Sequence, residues 1–333
     1  MSTADLTPEA ARRPFTGRRV RLGDLLLEAV SGAAAAGAAF LVALVAYKIV
    51  QGARPAIARY GAAFVTHVGW NPVTDVYGAG SFLFGTALTS LVALAVAAPL
   101  SLGIALFLTE LAPRFLRAPV TALVETLAAI PSVVIGLWGI LVLGPVLRDH
   151  VEPWLHSTLG FIPLFGPPAT TGSSVFTAVV VLTIMILPIV SSISRELFLG
   201  VPAELKEGAL ALGATRWEMV RGVVFPYARA GITAALILGL GRAVGEAIAV
   251  TQVIGGGGGA VSIQWNLFAT GDTLASKIAG SYQGAQSAIQ VSSLVYLALI
   301  LLVFSLLMNV SAQWIVRRVA RRQGVGTNRG GLG

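Results

Sequence analysis

The chain has 333 residues, of which 56% are hydrophobic and 11% charged, with a formal net charge of +8 and no cysteine. So little charge excludes an ordinary soluble domain, where about a quarter of residues are charged. The missing cysteine excludes disulfides, thiolate metal sites and a cysteine nucleophile.

A helix crosses a bilayer with about 20 apolar residues, since each adds about 1.5 Å and the hydrocarbon core is about 30 Å thick. Six blocks meet that length, at residues 27–50, 80–109, 119–147, 173–200, 223–254 and 287–315. The expected fold class is therefore all-α, a polytopic membrane protein with six transmembrane helices. Its domains are a basic N-terminal segment, 1–24, a membrane domain, 25–316, and a basic tail, 317–333. Arg12-Arg13-Pro-Phe is a faint twin-arginine pattern, but no small-residue cleavage site follows the first block, which reads as a retained anchor helix.

Charge sets the expected orientation. Seventeen of the 23 basic residues fall in one set of alternate segments. Arg12, Arg13, Arg18, Arg19 and Arg21 precede the first block, and Arg114 and Arg117 lie between the second and third. Arg195, Lys206, Arg216, Arg221 and Arg229 flank the segment before the fifth, and Arg317, Arg318, Arg321, Arg322 and Arg329 follow the last. The positive-inside rule places both termini and residues 201–226 in the cytoplasm. A net positive charge arranged this way calls for no nucleic acid. The outer loops are then 51–79, about 148–172 and about 255–286. They hold His67, His150 and His156, whose spacing matches no metal site. The five glycines Gly255–Gly259 suggest a flexible hinge as readily as an untied loop. Pro131 and Pro188 fall within apolar blocks and predict kinks.

The segment Glu207–Pro226 is a charged, helix-biased island between two apolar blocks. Residues 203–212 favour helix, Gly213 ends it, and Thr215 with Glu218 forms a capping box for a second short helix. Such a pair makes a knob suited to a groove on a partner. The alternative is an amphipathic loop resting on lipid headgroups.

Arg242 falls about 11 residues, or 16 Å, beyond Gly231, near mid-membrane in the fifth block. Glu246 follows at i+4 on the same expected helix face. Intramembrane charges are functional candidates by default. The guanidinium fork matches two oxygens of a tetrahedral oxyanion, and Glu246 would reclaim the arginine as the anion leaves. An ion pair holding helices together is the rival reading, and Gly241 with Gly245 predicts close helix packing. Glu125, about six residues into the third block, is a further pathway candidate or an interfacial charge.

None of Lys48, Lys206 and Lys277 stands in a phosphate-binding P-loop, so this chain is not itself an ATPase. An intramembrane hydrolase built on Glu125 or Glu246 would need a second catalytic partner, and no histidine or cysteine candidate presents itself.

Three stretches carry a resemblance: Leu127–Gly139 (LAAIPSVVIGLWG), Leu187–Glu196 (LPIVSSISRE) and Gly239–Val250 (GLGRAVGEAIAV). Over residues 80–315 the chain resembles the PstC-type permease subunit of phosphate ABC importers. The island is similar to the EAA loop of such permeases. The resemblance implies a type I ABC importer permease fold and no catalytic residue or metal in this chain. It implies a partner permease of the PstA type, two PstB-type ATPases that bind ATP and Mg, an external phosphate-binding protein, and the bacterial inner membrane. It implies a phosphate pathway at Arg242 and Glu246, and ATPase docking through Glu207, Gly208, Ala209, Gly213, Arg216 and Pro226. Gly208 replaces the alanine of the EAA pattern, and Ala247 replaces a threonine often found after the glutamate. Molybdate, sulfate or phosphonate are the alternative cargoes.

Overall fold

The computed structural model describes residues 22–256 and 263–321. The first five arginines of the basic N-terminus, Gly257–Gly259 of the expected hinge, Arg322 and Arg329 lie outside the described residues. The chain divides into two units, Met1–Lys48 and Ile49–Gly333. The described part of the first is helical and exposed along almost all its length.

The helices in chain order are α1 (Leu22–Tyr60), α2 (Ala63–Thr66), α3 (Gly80–Leu106), α4 (Arg114–Ala129), α5 (Ser132–Trp138), α6 (Gly144–Val146) and α7 (Glu152–Leu159). They continue with α8 (Val175–Leu199), α9 (Ala203–Ala211), α10 (Arg216–Met219), α11 (Phe225–Gly245), α12 (Ile248–Val253), α13 (Leu274–Ser281) and α14 (Ala288–Arg321). A hairpin of β1 (Trp70–Asn71) and β2 (Val76–Tyr77) pairs Trp70 with Tyr77 and Asn71 with Val76 in antiparallel register. Among the described residues six segments are long and apolar enough to span a membrane: 23–60, 80–111, 132–159, 175–199, 216–245 and 288–311.

Helix α8 sits at the centre. Its most apolar stretch is 61% buried, against 33% or less for the other five segments. Its core partners are Ala93 and Ala97 of α3, Ile135 of α5, Ala235 and Ala243 of α11, and Ala249, Val250 and Val253 of α12. Two hydroxyls add bonds across α3, Ser101 Oγ to Leu187 O at 3.2 Å and Thr183 Oγ1 to Ala93 O at 3.4 Å. At one end of α8, Ser174 caps the helix by accepting from Thr177 N, and Glu152 accepts from Ser174 Oγ at 3.1 Å and Ala169 N at 3.0 Å.

Four wide π-helical turns interrupt the spans, at Phe107–Leu111, Gly139–Leu143, Leu147–Val151 and Val220–Val224. Each ends two residues before a proline: Pro113, Pro145, Pro153 and Pro226. Pro145, Pro153 and Pro226 continue a helix and share a physical reason, whereas Pro113 follows an extended Ala112 and caps α4. Proline lacks the N–H that closes an α turn, and its ring pushes on the carbonyl four residues back. A wide turn ahead of it lets the neighbouring groups re-pair in i→i+5 register.

Three expectations require correction. The third span is not 119–147. The chain is extended at Ile130 and Pro131, and Pro131 sits at the N-cap of α5 rather than kinking a helix. Residues before a proline avoid helical geometry, so 114–129 becomes the separate helix α4. That moves Glu125 out of the span onto α4, where it is exposed. The span then continues past 148 to Leu159, taking in His150 and His156. The second helix of the island is not short: α10 runs through the π turn into α11, giving one segment from Arg216 to Gly245. Finally, the fifth span stops at Gly245, because Glu246 is extended at φ −73°, ψ 114°.

The Leu127–Gly139 motif acquires a structural explanation. A Cβ on Gly136 would lie 2.8 Å from Ala249 Cα, and one on Gly139 2.8 Å from Val253 Cγ1. These glycines let α5 lie against α12. Gly136→Ala is expected to destabilise the chain by about 1–3 kcal/mol through overpacking against backbone. Gly103→Ala, whose Cβ meets nothing within 4 Å, should stabilise it slightly. Thermal unfolding of the two variants in detergent checks the contrast.

Candidate functional site

The first candidate site is the knob formed by α9, the turn after it, and α10. Helix α9 ends in a Schellman motif. Gly213 takes φ +86°, Gly213 N donates to Leu210 O at 3.0 Å, and Ala214 N donates to Ala209 O at 3.2 Å. Two residues later Thr215 caps the next helix. Its Oγ1 accepts from Glu218 N at 3.3 Å, and Glu218 Oε2 accepts from Thr215 N at 2.8 Å. One helix is closed and the next opened within four residues, which fixes the angle between them.

Long-range contacts hold the knob on the spans. Lys206 Nζ donates to Glu110 Oε1 at 2.6 Å and to Phe198 O at 3.0 Å. Arg216 Nη1 reaches Glu110 O at 3.2 Å. Glu110 stands in the π turn that follows α3, so one residue ties both knob helices to that span. Beneath them lies an apolar cluster of Ala105, Phe198, Val201, Met219, Val220 and Val224, with Phe198 edge-on to Phe225.

The outer surface of the knob is bare. Glu207, Gly208, Gly213, Arg216 and Pro226 are exposed and Ala209 is half-buried. A Cβ on Gly208 would meet nothing within 4 Å. Leu212 is 91% exposed and Trp217 63%, large apolar groups that the described residues leave mostly uncovered. Sequence reasoning passed over both, as it did Glu110. The available signal was an isolated leucine directly before the helix-ending glycine.

The second candidate site is the break after α11. The buried face of α11, Ala228, Ile232, Ala235, Gly239 and Ala243, turns to the core. A Cβ on Gly239 would lie 2.9 Å from Ile186 and Val190 side chains, so the close-packing glycine is Gly239. A Cβ on Gly241 or Gly245, the pair expected to pack, meets nothing within 4 Å among the described residues. Ala234, Leu238, Gly241, Arg242 and Gly245 form an exposed stripe, and Arg242 lies on it.

Arg242 and Glu246 are not joined by an ion pair among the described residues. The helix ends between them, so the i+4 geometry expected from sequence is lost. Glu246 instead turns forward, its Oε1 accepting from Ala249 N at 3.3 Å in the first turn of α12. Arg242 stands in the last turn of α11. A cation at a helix C-terminus and an anion at an N-terminus are each favoured by the helix dipole, so each charge is partly met by a backbone end.

Residues 97–322 match the family described as "Binding-protein-dependent transport system inner membrane component". The chain is 43% identical over 317 residues to the phosphate transport system permease protein PstC of Mesorhizobium japonicum, covering 94% of this chain and 95% of that protein. It is 40% identical over 304 residues to PstC 2 of Mycobacterium tuberculosis, covering 90% and 93%. The chain belongs to the PstC permease family. It is an inner-membrane component of a transport system rather than an enzyme, and its six apolar segments are its membrane spans. Among solved structures, a chain of a bacterial alginate ABC transporter superposes with a TM-score of 0.59 at 17% identity, covering 89% of this chain and 97% of that one. At that identity the likeness shows the shared ABC importer permease fold.

Replacing Glu110 by Ala in this PstC-family chain strands the half-buried Lys206 ammonium. The variant should lose about 1–3 kcal/mol of stability, and combining it with Lys206→Met should restore part of it. A double-mutant cycle by thermal unfolding measures the coupling. Gly213→Ala should cost about 1 kcal/mol or more, because its φ of +86° lies in the left-handed region.

Proposed function

We propose that this chain is one permease half of an ATP-driven importer of inorganic phosphate and works by alternating access. The observation that carries the reading is the position of Arg242. It stands at a helix break, on the exposed stripe of α11, between Gly241 and Gly245, around which the described residues leave room. Interrupted helices whose ends line a cavity recur in membrane transport sites. A guanidinium there can hold two oxygens of a tetrahedral anion at once. Glu246 lies close enough along the chain to weaken that hold, so the anion passes rather than stays. Glu125, exposed on α4, has the weaker claim to the pathway.

The second half of the pathway comes from a PstA-type permease facing the exposed stripe of α11. Two PstB-type ATPases supply the energy and bind ATP and Mg, and an external phosphate-binding protein delivers the cargo. The knob is the ATPase docking surface on the cytoplasmic side, with both termini on that side by the positive-inside rule. Movement of the knob reaches the spans along two routes, Glu110 into α3 and the continuous segment from α10 into α11. ATP binding draws the knobs together and opens the pathway outward. Hydrolysis then lets it open inward.

The deciding experiment is uptake of labelled phosphate by the reconstituted complex in vesicles, with sulfate and molybdate as competitors. Arg242→Gln should lower uptake roughly tenfold or more while basal ATP hydrolysis persists. Full uptake by the variant removes Arg242 from the pathway, and strong competition by sulfate or molybdate reassigns the cargo. Leu212→Glu should release the ATPase on co-purification and leave the permease folded, because Leu212 is 91% exposed.

A further inference from the structure

At the Gly80 end of α3, on the order of 40 Å along the helix from Glu110, the larger unit contains a cavity of about 460 Å³. It lies between the β1–β2 hairpin, the first turn of α3 and the stretch that leads into α13. That is room for an anion with several waters, since each water takes about 30 Å³. Among the described lining residues the only cation is Lys277.

Lys277 is loosely held. Its Nζ is 3.5 Å from Asp272 Oδ2, although the two side chains are only 12% and 16% exposed. The Lys206–Glu110 pair, buried to a similar degree, closes to 2.6 Å. The ammonium also faces the rings of Trp70 and Phe82, at 5.6 and 5.5 Å. Among the described residues Asp272 is held weakly as well. Ser276 Oγ donates to it at 3.4 Å, and burial pushes its carboxyl above the ordinary value while Lys277 draws it back.

A second observation points the same way. Ser81 lines the cavity, and its Oγ is buried without a hydrogen-bond partner among the described residues. A buried hydroxyl left unpaired is costly, so such groups are rare unless something else engages them. Ser81 stands in the first turn of α3, whose Ala79 cap makes no side-chain bond and whose N-terminal end favours negative charge. A loosely paired ammonium, a free hydroxyl and a positive helix end together describe an anion site.

A helix that lines the cavity also touches the helix that follows the break. Thr251 Oγ1 of α12 donates to Ser276 O of α13 at 3.3 Å, and a Cβ on Gly280 would lie 3.3 Å from Thr251 Cγ2. Helix α13, which carries Lys277, thus rests on α12, whose first turn is held by Glu246.

We infer that this cavity is a second, weak oxyanion site, in which Lys277 and Ser81 bind the anion and Asp272 competes with it for Lys277. The identity of the anion as phosphate rests on the function proposed above, whereas the site itself rests on these residues.

The test is equilibrium binding of labelled inorganic phosphate to the full complex in phosphatidylcholine nanodiscs, without binding protein. All variants carry Arg242→Gln, so that only the cavity is read. Lys277→Gln should weaken binding roughly tenfold or more, and Ser81→Ala several-fold. Lys277→Arg should retain it, and Asp272→Asn should tighten it. A purely structural ion pair makes Asp272→Asn and Lys277→Gln equally harmful, and that result overturns the inference even if Lys277→Gln folds poorly. It is also overturned if no variant changes binding while wild-type uptake of phosphate proceeds, or if the Lys277 dependence emerges only with anionic lipid, which assigns the cavity to a headgroup. If phosphate is neither bound nor transported, but sulfate or molybdate gives the same opposed effects, the site stands and the cargo assignment fails.

Discussion

Helix α8 is apolar on nearly every side, and in a bilayer that alone would not bring it into the protein interior. Lipid tails are as apolar as leucine, so enclosing α8 gains little from the hydrophobic effect. Close packing and hydrogen bonds between helices supply the association. The residues that face α8 accordingly include Ala93, Ala97, Ala235, Gly239, Ala243 and Ala249, small enough to bring backbones near. Ser101 and Thr183 add bonds to carbonyls across the α3 contact. The other helices of this unit take their places from that shell of small residues. The break after α11 follows from it, because α12 must turn to lie against α5 and α8.

Much of this was legible in the sequence, and for local reasons. Apolar length gave six spans, and the helix-ending Gly213 and the Thr215–Glu218 box appear as read. These features depend on residues within a few positions of one another. The failures are equally physical. The third span was placed too early because hydropathy runs smoothly through Ile130, while the backbone before Pro131 does not continue as helix. The break at Glu246 carries no proline and is imposed by packing of α12 on residues far away in sequence. Once the helix ends there, an i+4 argument for Arg242 and Glu246 has no helix to act on.

The long-range partnerships were silent for the same reason. Glu110 lies 96 residues from Lys206, and nothing local marks it as the anchor of the knob. Yet that contact fastens the base of the knob to the end of α3. With its base clamped to α3 and its second helix continuous with α11, displacement of the tip is delivered to two spans together. An unclamped loop would absorb the same push in its own flexibility.

The wide turns ahead of the prolines bear on how the spans present their faces. A π turn takes in about one residue more than an α turn, so everything beyond it is advanced by about 100° around the axis. A helical wheel drawn straight through Arg216–Gly245 is therefore out of phase on one side of Val220–Val224. Trp217, on the knob, and Arg242, at the break, stand on opposite sides of that step. The rotational phase between the two ends is set by Pro226 and the turn before it. A relative with one residue fewer in that turn and no proline after it would keep the same span with its two ends re-aimed.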